Sequence, residues 1–204
     1  MKTFLIPLIA VLALFGCGGH GGHGGHDGHD ASVHDAGEHP EEAATGAAVA
    51  EQELLPHPFT AEEIRGEFRP GLIIELQSAM PQGEARMRWT IVAADAETVQ
   101  IDYQPIDGEG NPIAPSQVNP ATWVELRDHA SFPAATATRE WVSRETALGQ
   151  LDGWLYTVPD APSGTVTTYF FASSLPGAPV QMRTEKDGQL VMEMQQVSRR
   201  HTEG

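Results

Sequence analysis

The chain has 204 residues, of which 28 are acidic and 12 are basic, and its formal net charge is −16. So acidic a chain, with no basic stripe in its sequence, repels phosphate backbones and disfavours nucleic-acid binding. Its single cysteine, Cys17, has no disulfide partner within the chain, so the folded part must hold together without disulfides.

The first sixteen residues have the proportions of a secretory signal peptide. Lys2 supplies one positive charge, and an apolar run of twelve residues follows from Phe4 to Phe15. A helix needs about 20 apolar residues to cross a bilayer, so this run is too short to be a stable anchor. We therefore predict that residues 1–16 are a signal peptide.

The signal peptide ends in Leu14-Phe15-Gly16, directly before Cys17. This ending resembles the lipobox of bacterial lipoproteins. The resemblance implies that the signal is removed, that the Cys17 sulfur receives a diacylglyceryl group and that the new N-terminus is acylated. It also implies a Gram-negative, periplasm-facing lipoprotein, with the outer membrane favoured because Gly18 rather than an aspartate follows. The alternative is an ordinary signal peptide with an incidental cysteine.

Residues 17–53 are predicted to be a disordered, lipid-anchored tether. They contain eight acidic side chains and no lysine or arginine, and Val33 is the only large apolar residue between Gly18 and Val49. Such a segment cannot bury enough apolar surface to offset the entropy lost on ordering.

Histidines make this tether the candidate metal site of the sequence. Imidazole binds Zn²⁺, Ni²⁺ and Cu²⁺, and a flexible chain can wrap several imidazoles around one ion. Because a glycine-rich segment must be ordered to bind, we expect weak, exchangeable binding, and the alternative is a solvated spacer. The candidate ligands are His20, His23, His26, His29, His34 and His39.

Residues 54–204 are predicted to form one α+β domain. Thr60-Ala-Glu-Glu63 and Thr122-Trp-Val-Glu125 are capping-box patterns that start two short helices, ending near Phe68 and Ala130. Apolar and polar residues alternate over residues 86–91, 99–104, 180–185 and 190–195, as in strands with one buried face. Residues 164–174 are typical of a central strand, and residues 112–120 contain three prolines and are predicted to be a loop.

The second half of the domain carries another family resemblance. It resembles the periplasmic superfamily that includes the lipoprotein carrier and receptor of the Lol sorting pathway. That resemblance implies a strongly curved antiparallel sheet, an open half-barrel whose concave apolar face is covered by helices and accepts acyl chains. The matching residues are Gly149-x-x-x-Gly153-Trp154-x-Tyr156, Tyr169-Phe170-Phe171, Leu175-Pro176-Gly177-Ala178-Pro179-Val180 and the hairpin signal Asp187-Gly188.

Large apolar side chains are the candidates for a ligand cavity in the domain. Flexible methionine thioethers suit a surface that adapts to an acyl chain, although the same residues could instead fill a core. Sequence alone leaves these two readings open. The candidate cavity residues are Trp89, Trp154, Phe170, Met182 and Met192.

The sequence contains no specific catalytic motif that indicates an enzyme. Asp128-His129-Ala130-Ser131 contains the residue types of a hydrolase triad, but neighbours on a short helix point in different directions. We expect a non-enzymatic lipoprotein that binds a lipid, an acyl chain or an envelope protein. Metal buffering or donation through the tether is the alternative, and a hydrolase that uses His129 is the weakest.

Overall fold

The structure is a computed structural model that describes residues 52–202. The signal peptide, Cys17 and the histidine tether lie outside the described residues. Glu51–Gly204 form one compact unit. No helix between residues 52 and 202 is long and apolar enough to cross a membrane.

Nine strands of the described part form a single antiparallel sheet, accompanied by two short helices. The sheet order is β4-β3-β2-β1-β9-β8-β7-β6-β5, so the last strand pairs with the first and joins two meanders. The elements are α1 (Ala61–Glu67), β1 (Leu72–Met80), β2 (Gly83–Ala94), β3 (Thr98–Ile106), β4 (Gln117–Thr122), α2 (Trp123–Asp128), β5 (Thr138–Thr146), β6 (Gly149–Asp160), β7 (Thr165–Ala172), β8 (Gln181–Lys186) and β9 (Gln189–His201).

The sheet is strongly curved and does not close into a barrel, which confirms the predicted α+β class. Register shifts interrupt the β1–β9, β2–β3 and β8–β9 ladders. Each such bulge bends its strand and increases the local twist.

The two faces of β1 differ sharply in composition. On β1, Leu72, Ile74 and Leu76 are buried, whereas Glu75 and Gln77 alternate with them. We call the face of Leu72 the covered face, because α1 and the segment before it contact this face at Arg199 and Tyr156. The opposite face is the outer face. Cross-strand partners share a face, so the register assigns every other strand residue to one of the two.

Both helices begin as the sequence predicts. The Thr60 hydroxyl accepts a hydrogen bond from the Glu63 N–H at 3.2 Å, and the Glu63 carboxylate accepts one from the Thr60 N–H at 2.7 Å. Thr122 and Glu125 make the same pair of bonds. The second helix ends at Asp128, two residues before the predicted end.

The segment that leads into α1 is fastened across the covered face. The Leu55 N–H donates to the Phe132 carbonyl at 2.8 Å, and the Tyr156 hydroxyl donates to the Pro56 carbonyl at 2.5 Å. The Phe132 ring then packs against Tyr156 and Tyr169, with centroids 4.9 and 5.0 Å away. The contacts fix where the chain enters the domain.

Part of the predicted proline loop is instead the edge strand β4. Pro120 lies within β4 and pairs with Gln100 of β3. Proline has no N–H to donate, so a sheet tolerates it on an edge strand, where one side has no partner strand. The loop prediction was wrong here because β4 carries no apolar alternation.

One buried and two half-buried tyrosine side chains predict alkaline instability. Burial raises the pKa of Tyr156 to about 12 and also raises the pKa values of Tyr103 and Tyr169. Unfolded tyrosine titrates near pH 10, so above that pH the unfolded chain loses protons that the folded chain keeps. We therefore expect the free energy of unfolding to fall as the pH rises from about 10 to about 12.

The Tyr156→Phe variant tests this prediction. It should flatten the alkaline fall and should lower stability at neutral pH by about 1 kcal/mol, because the Pro56 carbonyl loses its donor. Urea unfolding at a series of pH values measures both effects. An unchanged alkaline slope in the variant would contradict the assignment of Tyr156.

Candidate ligand-binding face

Every methionine in the described part of the chain lies on the covered face. Met87 pairs with Leu76, and Met194 pairs with Ser78 on one side and with Met182 on the other. The remaining two follow by alternation along β1 and β9. The five are Met80, Met87, Met182, Met192 and Met194.

These methionines lie on β1, β2, β8 and β9, and three of the five are partly exposed. Met182 and Met194 are buried, whereas Met80, Met87 and Met192 are half-buried. Ser78 and Leu76 connect them across β1. We call this area the methionine surface; it comprises the five methionines together with Trp89 and Tyr103.

Two aromatic rings form one side of the methionine surface. Trp89 and Tyr103 are cross-strand partners, and their rings meet edge to face with centroids 5.3 Å apart. Burial raises the pKa of the Tyr103 hydroxyl, so the phenol is neutral at physiological pH. The surface therefore combines polarizable sulfur and aromatic groups with no charged side chain among its seven residues.

Not all residues predicted to line a cavity lie together. Trp89, Met182 and Met192 belong to the methionine surface. Trp154 shares the covered face but lies near the β5 edge, where the Arg139 guanidinium stacks 3.5 Å from its ring centroid. Phe170 projects from the outer face and is fully buried against Leu155, Ala172 and Val180, so it does not line this surface.

Sequence reasoning missed four members of the methionine surface. Met87, Tyr103 and Met194 alternate with polar residues, which marks a buried face within each strand, whereas Met80 is flanked by Ala79 and Pro81. The pairing of β1 with β9 brings the strands together, and it joins residues more than a hundred positions apart. No local sequence pattern predicts such a pairing.

The histidine beside Asp128 and Ser131 is His57, not His129. The His57 Nε2 atom lies 2.9 Å from the Ser131 hydroxyl and 3.6 Å from an Asp128 carboxylate oxygen. Burial and the neighbouring Arg127 lower the pKa of His57, although Asp128 acts in the opposite direction. His129 is exposed at the end of α2.

This arrangement differs from a hydrolase triad. A triad histidine uses one ring nitrogen for the nucleophile and the other for the carboxylate, which holds the ring in the required tautomer. In this protein a single nitrogen of His57 faces both groups. The contact instead fastens the entry segment to the loop after α2.

The described part of the chain contains no candidate metal site. Within residues 52–202 there is no group of three or more His, Cys, Asp or Glu side chains that could hold an ion. The candidate ligands His20 to His39 lie outside that range, so the metal hypothesis stays a prediction.

Comparisons with known proteins give weak similarities of fold. No protein-family model matches the sequence, and no curated protein matches it. The MucA/MucB complex of Pseudomonas aeruginosa is 11% identical, with a TM-score of 0.47, over 68% of this chain and 54% of that chain. A structure of MucB is 12% identical, with a TM-score of 0.47, over 70% of this chain and 57% of that chain.

A candidate lipoprotein of Parabacteroides distasonis is also similar. It is 9% identical, with a TM-score of 0.41, over 65% of this chain and 98% of that chain. The chain thus spans only about half the length of the MucB structures that it matches. With TM-scores this low, the function has to follow from the residues of this chain.

Proposed function

We propose that this chain is a non-enzymatic lipoprotein, anchored through Cys17 in the cell envelope and facing the periplasm, whose domain binds an acyl chain. The outer membrane is the favoured site of the anchor, because Gly18 follows Cys17. The observation that carries the binding role is the methionine surface, an uncharged and partly exposed area of the covered face.

An acyl chain fits this surface better than a polar ligand. Unbranched methionine side chains adapt to a flexible hydrocarbon, and each buried CH₂ contributes about 0.8 kcal/mol. Thr167 and Thr184 lie beside Met192 on the same face, with their hydroxyls 3.0 Å apart. They can hydrogen-bond the polar end of a lipid at the border of the apolar area.

The methionine surface is open to solvent, because five of its seven residues are partly exposed. Two cavities of the described domain lie elsewhere, one of about 410 Å³ on the outer face and one of about 330 Å³ beside His57. A bound chain would therefore bury only part of its area, and we expect an affinity in the micromolar range, near −8 kcal/mol.

Quenching of tryptophan fluorescence by a brominated fatty acid tests the binding role. The compact unit Glu51–Gly204 can be used alone, because the sheet and helices within it form their own core. We expect saturable quenching that is largely lost in Trp89→Phe, because Trp89 is the one tryptophan that belongs to the methionine surface. Undiminished quenching in that variant would place the ligand elsewhere.

The double variant Met87→Gln/Met192→Gln should bind the fatty acid about tenfold more weakly, equal to about 1.4 kcal/mol. Both side chains are half-buried, so folding should be little affected. Val166→Gln is the matched control, because Val166 is 40% exposed on the outer face of β7. Equal losses in the variant and the control, or no saturable binding by the wild type, would refute the proposal.

A further inference from the structure

A polar cleft of about 410 Å³ lies on the outer face of the sheet. The proposed acyl-binding role makes no use of it. Its volume lies within the range of small-molecule sites, about 300–1,000 Å³. The residues of this cleft that matter are Arg144, Thr168, Phe170, Gln181, Arg183 and Glu193.

Arg144 supplies the available positive charge of the cleft. Its guanidinium carbon lies 6.0 Å from the ring centroid of Phe170, which is fully buried. Within residues 52–202 no hydrogen bond or ion pair engages this guanidinium. The Arg183 guanidinium, in contrast, already donates to the Glu185 carboxylate at 2.7 Å. A carboxylate ligand would therefore bind Arg144, whose planar fork suits two parallel hydrogen bonds.

Glu193 supplies the complementary negative charge. It is half-buried, and no arginine, lysine or histidine of the described chain lies within ion-pair distance of its carboxylate, although Arg183 is its cross-strand partner. The amide of Gln181 and the hydroxyl of Thr168 add neutral hydrogen-bonding groups. Among the described residues, the cleft thus offers one unpaired cation, Arg144, and two unpaired carboxylates, the half-buried Glu193 and the exposed Glu145, together with neutral polar groups.

We propose that this cleft binds a small zwitterion of the size of a dipeptide, with its carboxylate on Arg144 and its ammonium on Glu193. The net charge of −16 disfavours ligands with several negative charges. A zwitterion adds no net charge, and it gives Arg144 and the half-buried Glu193 one opposite charge each. The site is independent of the methionine surface, because Arg183 and Glu193 lie on the outer face, whereas Met182 and Met194 lie on the covered face.

Calorimetric titration with L-alanyl-L-alanine tests the proposal on the Glu51–Gly204 unit. We expect saturable binding with a Kd below about 1 mM, equal to about −4.1 kcal/mol. The C-terminal amide of the same dipeptide and its N-acetyl derivative should each bind at least about fivefold more weakly, because each lacks one of the two charges.

Two variants assign the charges within the cleft. Arg144→Gln should weaken binding of the free dipeptide at least about fivefold. It should leave binding of the amide unchanged, because the amide already lacks the carboxylate that Arg144 would contact. Glu193→Gln should also weaken binding of the free dipeptide, and it should leave binding of the N-acetyl derivative unchanged, because that derivative already lacks the ammonium group. Arg65→Gln, at an exposed position on α1, is the control.

Thermal unfolding of each variant establishes that it is folded before binding is compared. Absence of binding up to about 10 mM dipeptide, near −2.7 kcal/mol, would overturn the proposal. Equal affinity for the dipeptide and its amide, or an equal loss in Arg65→Gln, would do the same. The Met87→Gln/Met192→Gln variant should bind the dipeptide normally, which keeps this site distinct from the acyl-binding one.

Discussion

Replacing Gly153 with alanine is expected to lower the free energy of unfolding by about 3 kcal/mol. A Cβ atom at this position would lie 2.0 Å from the Phe171 carbonyl oxygen and 2.8 Å from the Ala172 Cα atom. Both are backbone atoms of β7, so no side-chain rotation can relieve the overlap. Strands β6 and β7 would have to separate, and their ladder would be disrupted from Gly153 to Asp160.

Gly66→Ala is the matched control for this substitution. Gly66 lies within α1, and a Cβ atom there would meet nothing within 4 Å. Alanine is favoured over glycine in a helix by about 1 kcal/mol, so this variant should be slightly more stable than the wild type. Urea unfolding of the two variants measures the difference. Equal stabilities would contradict the close approach of β6 and β7.

Period-two alternation predicted much of the sheet, and its success has a physical reason. Met87, Trp89 and Ile91 alternate with polar residues because one face of β2 packs against the core. The same reasoning located β3 and the final hairpin, where Asp187 and Gly188 both adopt the positive φ that the turn requires. Both capping boxes were readable because their hydrogen bonds join residues three positions apart.

Long-range pairing was not predictable in the same way. The methionine surface exists because β9 returns to pair with β1, and only this pairing places Met194 beside Ser78. The contact between His57 and Ser131 joins positions 74 residues apart and leaves no local pattern. From the sequence, Met182 and Met192 were therefore named as candidates but could not be placed on one surface with Met80.

At Phe170 the sequence pattern could not assign the residue to a face of the sheet. Phe170 stands between Tyr169 and Phe171, and when successive residues are all aromatic the alternation disappears. Each of the three is buried or half-buried, because β7 carries apolar contacts on both faces. The sequence could not say which of them belongs to the covered face. The register does, since Tyr169 pairs with Met182 and Phe170 with Gln181.

Replacing Cys17 with serine is expected to move the protein from the membrane fraction to the soluble fraction almost completely. The lipobox resemblance puts several acyl chains on this residue, and each buried CH₂ contributes about 0.8 kcal/mol to membrane binding. A serine oxygen offers no thiol for the diacylglyceryl group. With every acyl chain gone, an acidic chain has no attraction to anionic head groups that could replace them.

Separation of membrane and soluble fractions, followed by intact-mass measurement, tests this expectation. Val33→Ala is the control, because it removes the one large apolar side chain between Gly18 and Val49 while Cys17 stays in place. The domain should unfold at the same temperature in Cys17→Ser, since Glu51–Gly204 is compact by itself. A Cys17→Ser protein that still sediments with membranes, or a wild-type mass without acyl chains, would refute the anchor, whereas dipeptide binding on the outer face would be unaffected.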